Sequence, residues 1–166
     1  MICPCPMAMI SFEQDRIRFN YRVAGVALHE NRVLLHRSDR DAFWTLPGGR
    51  VELWEAASES LKREMREELS VEVNVERLLW IVENFFEYEN CRSHEIGFYF
   101  LMSLPRNSRL LQQTESFEGR EGELKLVFEW LEISALKERL IYPAFLQQTL
   151  QTLPAGTEHI VQRDDA

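Results

Sequence analysis

Cysteine is scarce in this chain, three in 166 residues. Cys3 and Cys5 sit in a proline-punctuated start, Cys91 lies far away among charged residues, and no second ligand pair stands at zinc-like spacing. This excludes a disulfide framework and a cysteine zinc site, and leaves ordinary reduced thiols. Long apolar runs are missing too: nothing approaches the ~20 residues that a membrane span needs. The opening MICPCPMAMI has neither the basic lead nor the apolar block of a secretory signal, so the cytoplasm is the expected compartment. Met9 is a second candidate start, with the Cys/Pro segment before it as an upstream extension. Basic clusters are also lacking, and 19 Lys and Arg against 27 Asp and Glu give a net charge of −8. That argues against nucleic acid polymers, whose phosphates need clustered cations. An acidic chain still binds a small polyphosphate when divalent cations bridge the two, and its carboxylates should then be gathered in one place.

With no repeat, low-complexity block or linker, the chain reads as one domain. It is expected over residues 11–153, between an N-terminal tail (1–10) and a C-terminal tail (154–166). Ile17, Phe19, Tyr21 and Val23 alternate with polar residues as a half-buried strand does. Glu30 and Asn31 interrupt the pattern before Val33–Leu35 resume it, which predicts a hairpin. Further strands are expected at Val71–Val75, Leu78–Phe86, Ile96–Leu104 and Leu124–Trp130, with a polar loop over Glu115–Glu123. The clearest helix runs from about Glu55 to Leu69, rich in Ala, Leu, Lys, Arg and Glu, and buries Ala57, Leu61, Met65 and Leu69. Short helices are expected over Ser134–Leu140 and from Pro143 to about Leu153, and the final HIVQRDDA is expected to fray. Strands outnumber helices, so the class is mixed α/β.

The carboxylates are gathered on the main helix. At ~100° per residue, Glu64, Glu67 and Glu68 share one sector about 100° wide. A solvated acidic face is the ordinary reading of such residues, but two costs weigh against it. Glu64 and Glu68 repel at i, i+4. All three occupy the last turns, where the helix dipole disfavours anions by roughly 0.3–1 kcal/mol each. Since the sector also abuts the buried stripe, the pattern points to a bound divalent cation. Upstream, Gly48-Gly49 allows backbone to approach a ligand closely. Glu55 suits the helix start, and Arg63 is placed to pair with Glu55 or with Glu59.

These residues resemble the Nudix box. The run GRVELWEAASESLKREMREELSV has Gly49, five residues, Glu55, seven residues, Arg63-Glu64-Met65, one residue, Glu67-Glu68, one residue, then Ser70-Val71. Only Ser70 departs, standing where the family usually has Gly. Trp44-Thr45-Leu46-Pro47-Gly48-Gly49 is similar to the family's usual lead-in. The resemblance implies an α/β/α sandwich on a mixed β-sheet and a pyrophosphohydrolase using Mg²⁺ or Mn²⁺. It implies a small nucleoside diphosphate derivative as substrate: a nucleoside triphosphate, nucleotide sugar, ADP-ribose or dinucleoside polyphosphate. Glu67 and Glu68 are then the main metal ligands, Glu64 a third ligand or the base, the Gly48 carbonyl another ligand, and Glu55 with Arg63 the structural pair. An additional base or ligand is expected from a later loop, where Glu121 is preferred among Glu115, Glu118, Glu121, Glu123 and Glu129. Tyr88, 17 residues beyond Val71, resembles a mark of dinucleoside polyphosphate hydrolases, whose ring stacks on a base. Many relatives are homodimers. The competing reading is a non-catalytic Nudix-fold module that senses a nucleotide, which loss of box glutamates would favour, and none is lost. Ser70 falls where a helix end prefers a left-handed residue, at a cost of about 1 kcal/mol for a side chain.

Overall fold

A computed structural model describes residues 8–164, so Cys3 and Cys5 lie outside the described residues. Strand patterning and turn chemistry agree through most of the chain. The strands are β1 (Ser11–Gln14), β2 (Ile17–His29), β3 (Arg32–Ser38), β4 (Gly48–Arg50), β5 (Asn74–Tyr88), β6 (Cys91–Ser103), β7 (Phe117–Glu121), β8 (Leu124–Glu132) and β9 (Glu158–Arg163). The helices are α1 (Ala57–Leu69) and α2 (Leu146–Thr149), with 3-10 turns at Arg109–Gln112 and Ile133–Glu138. The expected hairpin at Glu30-Asn31 is present. Both residues have positive φ, 47° and 62°, which matches a two-residue turn to strand twist. Glu89-Asn90 joins β5 to β6 in the same way, at 52° and 60°.

The sheet is mixed, in the order β7-β8-β3-β2-β6-β5-β9, with β1 and β4 also pairing β2. Its β2–β6 and β5–β9 pairs are parallel. Alternation along β2 sends Val23 and Ala27 to one core, and Ala24 and Val26 to the other. The first core packs Ala57, Leu61 and Met65 of α1, and the second packs Leu136, Leu146 and Leu150. Helical cover on both faces is the expected α/β/α sandwich.

One split in this sheet positions everything that follows. β3 stays paired to β2 for only two register positions, Leu28–Val33 and His29–Arg32, and then diverges. The segment from Trp44 to Arg50 wedges into the opening. Thr45 exchanges backbone hydrogen bonds with His36 at 2.9 and 2.8 Å, while Gly48, Gly49 and Arg50 pair with Ala24, Val23 and Arg22.

Several expectations are corrected. The C-terminal stretch does not fray: Glu158–Arg163 pairs with Trp80–Phe85 and covers the β5 edge. The Glu115–Glu123 loop holds β7, turned onto β8 at Gly122. The Pro143–Leu153 helix shrinks to Leu146–Thr149, and Ser134–Leu140 becomes the 3-10 turn Ile133–Glu138. Val71 and Val73 are buried but unpaired, and β5 begins only at Asn74. The last residues of the expected N-terminal tail are tied in, Met9 bridging Glu52 and the Ile10 N–H donating to Val51 O at 2.9 Å. Periodicity registers burial, and burial here is shared by strands and covering loops alike.

Candidate active site

The end of α1 meets the wedge at the Gly48-Gly49 turn. Gly48 has φ 150°, and a Cβ there would strike the Val23 carbonyl of β2. At Gly49 a Cβ would instead occupy the space of the Glu64 carboxylate. Both positions therefore need glycine for close approach, the second because a carboxylate lies directly against the turn.

Arg63 organises the helix side. Its Nε and Nη2 donate to the two oxygens of Glu55 at 2.9 and 3.0 Å, and Nη2 also donates to Arg50 O at 3.1 Å. The Glu55–Arg63 pair is thus the bidentate one, while Glu59 pairs with Lys62. Its remaining nitrogen, Nη1, reaches Glu64 Oε1 at 2.9 Å and Glu67 Oε2 at 3.3 Å. Hydrogen bonding to Glu55 holds the guanidinium well above its ordinary range.

The glutamate sector divides by depth. Glu64 and Glu68 are buried, whereas Glu67 stands at the rim. Burial raises the Glu64 carboxyl, and Arg63 pulls it back. Glu68 has no such relief. Both of its oxygens are buried without a hydrogen-bond partner. Burial pushes its carboxyl up to about 9, Glu64 and Glu121 add to the push, and Arg22 opposes it. Glu121, on β7, lines the cleft and faces this pair.

Orphaned buried carboxylate oxygens are costly, and a divalent cation is the partner that would satisfy them. As the side chains stand, no three His, Cys, Asp or Glu among the described residues are gathered closely enough to hold a metal ion. Two of the glutamates, Glu64 and Glu67, are instead paired with the Arg63 guanidinium. The donor set of Glu64, Glu67, Glu68, Glu121 and the Gly48 carbonyl is all oxygen, which suits Mg²⁺ or Mn²⁺.

From this point a cleft of about 560 Å³ extends over β2, β6 and β5. Gly48, Gly49 and Glu121 line one end; Phe43, Tyr88 and Tyr142 line the other. The Phe43 ring lies edge-on to Tyr88 at 6.0 Å and to Tyr142 at 5.4 Å, and Tyr88 Oη donates to Asp41 Oδ1 at 2.9 Å. Four arginines, Arg18, Arg22, Arg37 and Arg50, line the same cleft. His36 lines it as well, buried with neither ring nitrogen partnered and pushed down to about 3 by burial and then by Arg22. It is a neutral imidazole at physiological pH.

The structure brings Gly48, Tyr88 and Glu121 to one cleft, and joins Glu55, Arg63, Glu64 and Glu67 beside the glycine turn at one end of it. It also adds residues that sequence reasoning missed: Arg22, His36, Asn84 and Glu95. Arg22 and Asn84 lie within expected strands, whereas Glu95 falls just before the expected Ile96–Leu104 strand, since β6 begins at Cys91. A polar residue facing inward within an apolar run was the available signal.

The comparisons agree with this architecture. The NUDIX domain model matches residues 19–152. A putative ADP-ribose pyrophosphatase of Bacillus subtilis is 34% identical over 62 residues, covering 37% of this chain and 30% of that protein. The matched stretch thus spans less than a third of that relative's length. Among solved structures, an ADP-ribose pyrophosphatase from Streptococcus suis superposes with TM-score 0.59 at 14% identity, covering 86% of this chain and 98% of that one. A UDP-X diphosphatase gives 0.58 at 18% identity, covering 85% and 66%. A MutT protein from Bacillus halodurans gives 0.54 at 21% identity, covering 84% and 89%. The chain belongs to the Nudix family. No helix among the described residues is long and apolar enough to cross a membrane.

Proposed function

We propose that this protein hydrolyses a pyrophosphate bond in a nucleoside diphosphate derivative, with Mg²⁺ or Mn²⁺ held by Glu64, Glu67, Glu68, Glu121 and the Gly48 carbonyl. The observation that carries this reading is Glu68, whose two oxygens are buried and unpartnered near the Glu64 and Glu121 carboxylates, next to the glycine turn that lines one end of the cleft. When bound, the cation would supply charge neutralisation for the diphosphate and acidify a water molecule. The chain's own residues do the rest. Arg63, fixed by Glu55, holds Glu64 and Glu67 in place, and Glu64 is either a cation ligand or, released from Arg63, the carboxylate that accepts a proton from the attacking water. Arg22 and Arg50 face the phosphates, and the Phe43–Tyr88–Tyr142 rim receives the base by stacking. A cleft of about 560 Å³ suits one nucleotide-sized ligand. Three of the similar proteins are named for ADP-ribose or UDP-X, which supports testing nucleotide conjugates first.

The test is turnover of nucleoside triphosphates, nucleotide sugars, ADP-ribose and dinucleoside polyphosphates in heavy-oxygen water, with both cations titrated. Cleavage with label in one phosphate product is expected. Absence of turnover for the whole panel would remove the hydrolase reading.

A further inference from the structure

Strand register arranges the cleft floor in rows across β2, β6 and β5. Arg22, Gly97 and Val82 form one row. Asn20, Glu95 and Asn84 form the next, and Arg18, Ser93 and Phe86 the one beyond, with Tyr88 two residues further along β5. Arg50 of β4 extends the first row, beside the glycine turn. Rows two residues apart are separated by about 6.6 Å. Read outward from the catalytic end, the floor presents arginine, then an amide–carboxylate–amide row, then aromatic rings. A nucleotide presents phosphate, ribose and base in the same order at comparable spacing.

The middle row is built to receive hydrogen bonds. Asn20, Asn84 and Glu95 are each 6% exposed, although all three line the cleft. Asn84 Oδ1 has no partner. Glu95 Oε2 lies 4.0 Å from Arg22 Nε, beyond hydrogen-bond range, and Asn84 is placed to donate one hydrogen bond to this carboxyl, which leaves its other lone pairs to accept. The acceptor oxygen of Asn20 is already taken by Ser11 Oγ at 2.8 Å, which leaves its amide to donate. Buried acceptors left without donors are costly, and a vicinal diol brings two O–H groups that satisfy them together.

We propose that Glu95 and Asn84 recognise the 2′,3′-diol of a ribose, making the protein selective for ribonucleotides over 2′-deoxyribonucleotides. This rests on the nucleotide-hydrolase reading and narrows its substrate class. Losing one hydrogen bond to a buried charged acceptor disfavours the deoxy ligand by roughly 10- to 100-fold. A purely structural row would treat both sugars alike.

The test is titration calorimetry, in Mg²⁺, of the four ribonucleoside monophosphates and their 2′-deoxy counterparts against wild type, Glu95→Gln and Asn84→Ala. For each base that binds, wild type is expected to prefer the ribose form by roughly 10- to 100-fold. Both variants should lower ribose-form affinity by more than deoxy-form affinity, because the deoxy sugar brings only its 3′-hydroxyl to this row, whereas a general packing defect would lower both alike. If Glu95→Gln does not fold, Asn84→Ala reads the same ratio. Equal affinity for the two sugars in wild type, or a preference that survives both substitutions, overturns the proposal. If that happens while the substrate panel is cleaved, only the sugar assignment falls. If no nucleotide binds and no panel compound is cleaved, the assignment falls together with the hydrolase reading.

Discussion

Glu68 shows how far burial changes an argument made from spacing. Helix dipole and i, i+4 repulsion alone put the benefit of removing its charge at roughly 0.5–1 kcal/mol. Enclosure enlarges it, because the carboxyl moves up to about 9. In the unfolded chain the group ionises near its ordinary 4.5, so between these values folding takes up a proton and stability falls as pH rises. In chelator, wild type should therefore lose stability from about pH 5 to pH 9, and Glu68→Gln should flatten that slope. At pH 7 the variant should gain on the order of 2 kcal/mol by denaturant midpoint, yet lose about 10²-fold in turnover in saturating Mg²⁺. Full turnover in the variant would remove Glu68 from the ligand set. Tyr88 calls for a different measurement. Its hydroxyl is occupied by Asp41 and its ring stands edge-on to Phe43 at the rim. Tyr88→Ala should raise KM about 5- to 10-fold and leave kcat within about twofold, with the larger KM effect on dinucleoside polyphosphates than on nucleotide sugars. An equal effect on both classes would leave the ring as a general wall of the cleft.

The α1 helix carries the box, and its closure explains the departure at Ser70. Ser70 sits in the left-handed region at φ 53°, ψ 37°, and its N–H donates to Arg66 O at 3.0 Å, with Val71 N–H reaching Met65 O at 3.3 Å. The turn therefore closes as a glycine would close it, and the side chain bears the strain. Ser70 is exposed, and its side chain makes no hydrogen bond among the described residues. Ser70→Gly should thus raise the unfolding midpoint by about 0.5–1 kcal/mol with unchanged turnover. A drop in stability would mean that the hydroxyl contributes more than the backbone loses. The opposite substitution logic holds at Gly49, where a Cβ would displace the Glu64 carboxylate. That glycine is required by the approach of the Glu64 carboxylate, and box spacing alone shows only that a glycine is present.

Across the molecule, the two ends of the chain finish the sheet. β9 lies parallel to β5 over six paired positions, with Thr157 Oγ1 donating to Leu78 O at 2.9 Å and Arg77 Nη2 to Pro154 O at 2.8 Å. Without it the long β5 edge is open for pairing with another chain. Ending the chain at Pro154 should lower stability by roughly 2–4 kcal/mol and promote aggregation on mild heating. A frayed tail predicts no change, so a thermal scan of the truncated protein decides between them. Charge is likewise a matter of arrangement. The chain carries a net −8, yet four arginines converge on one cleft. Net charge argues against polymer binding without describing what a small anion meets inside.

The sequence by itself determined the family, the main helix, the β2–β3 hairpin, the mixed α/β class and the identity of the glutamate cluster. Each depends on local spacing: 3.6-residue periodicity, strand alternation, a turn dipeptide or a fixed interval between side chains. Only the tertiary structure decided which glutamates are buried, that Arg63 holds two of them, and that β9 belongs to the sheet. It alone assembled the floor from Asn20, Glu95 and Asn84, which lie on three strands separated by as much as 75 residues. Strand register creates that row, and register follows from turn geometry and from matching the buried faces of distant segments, so no single local pattern displays it.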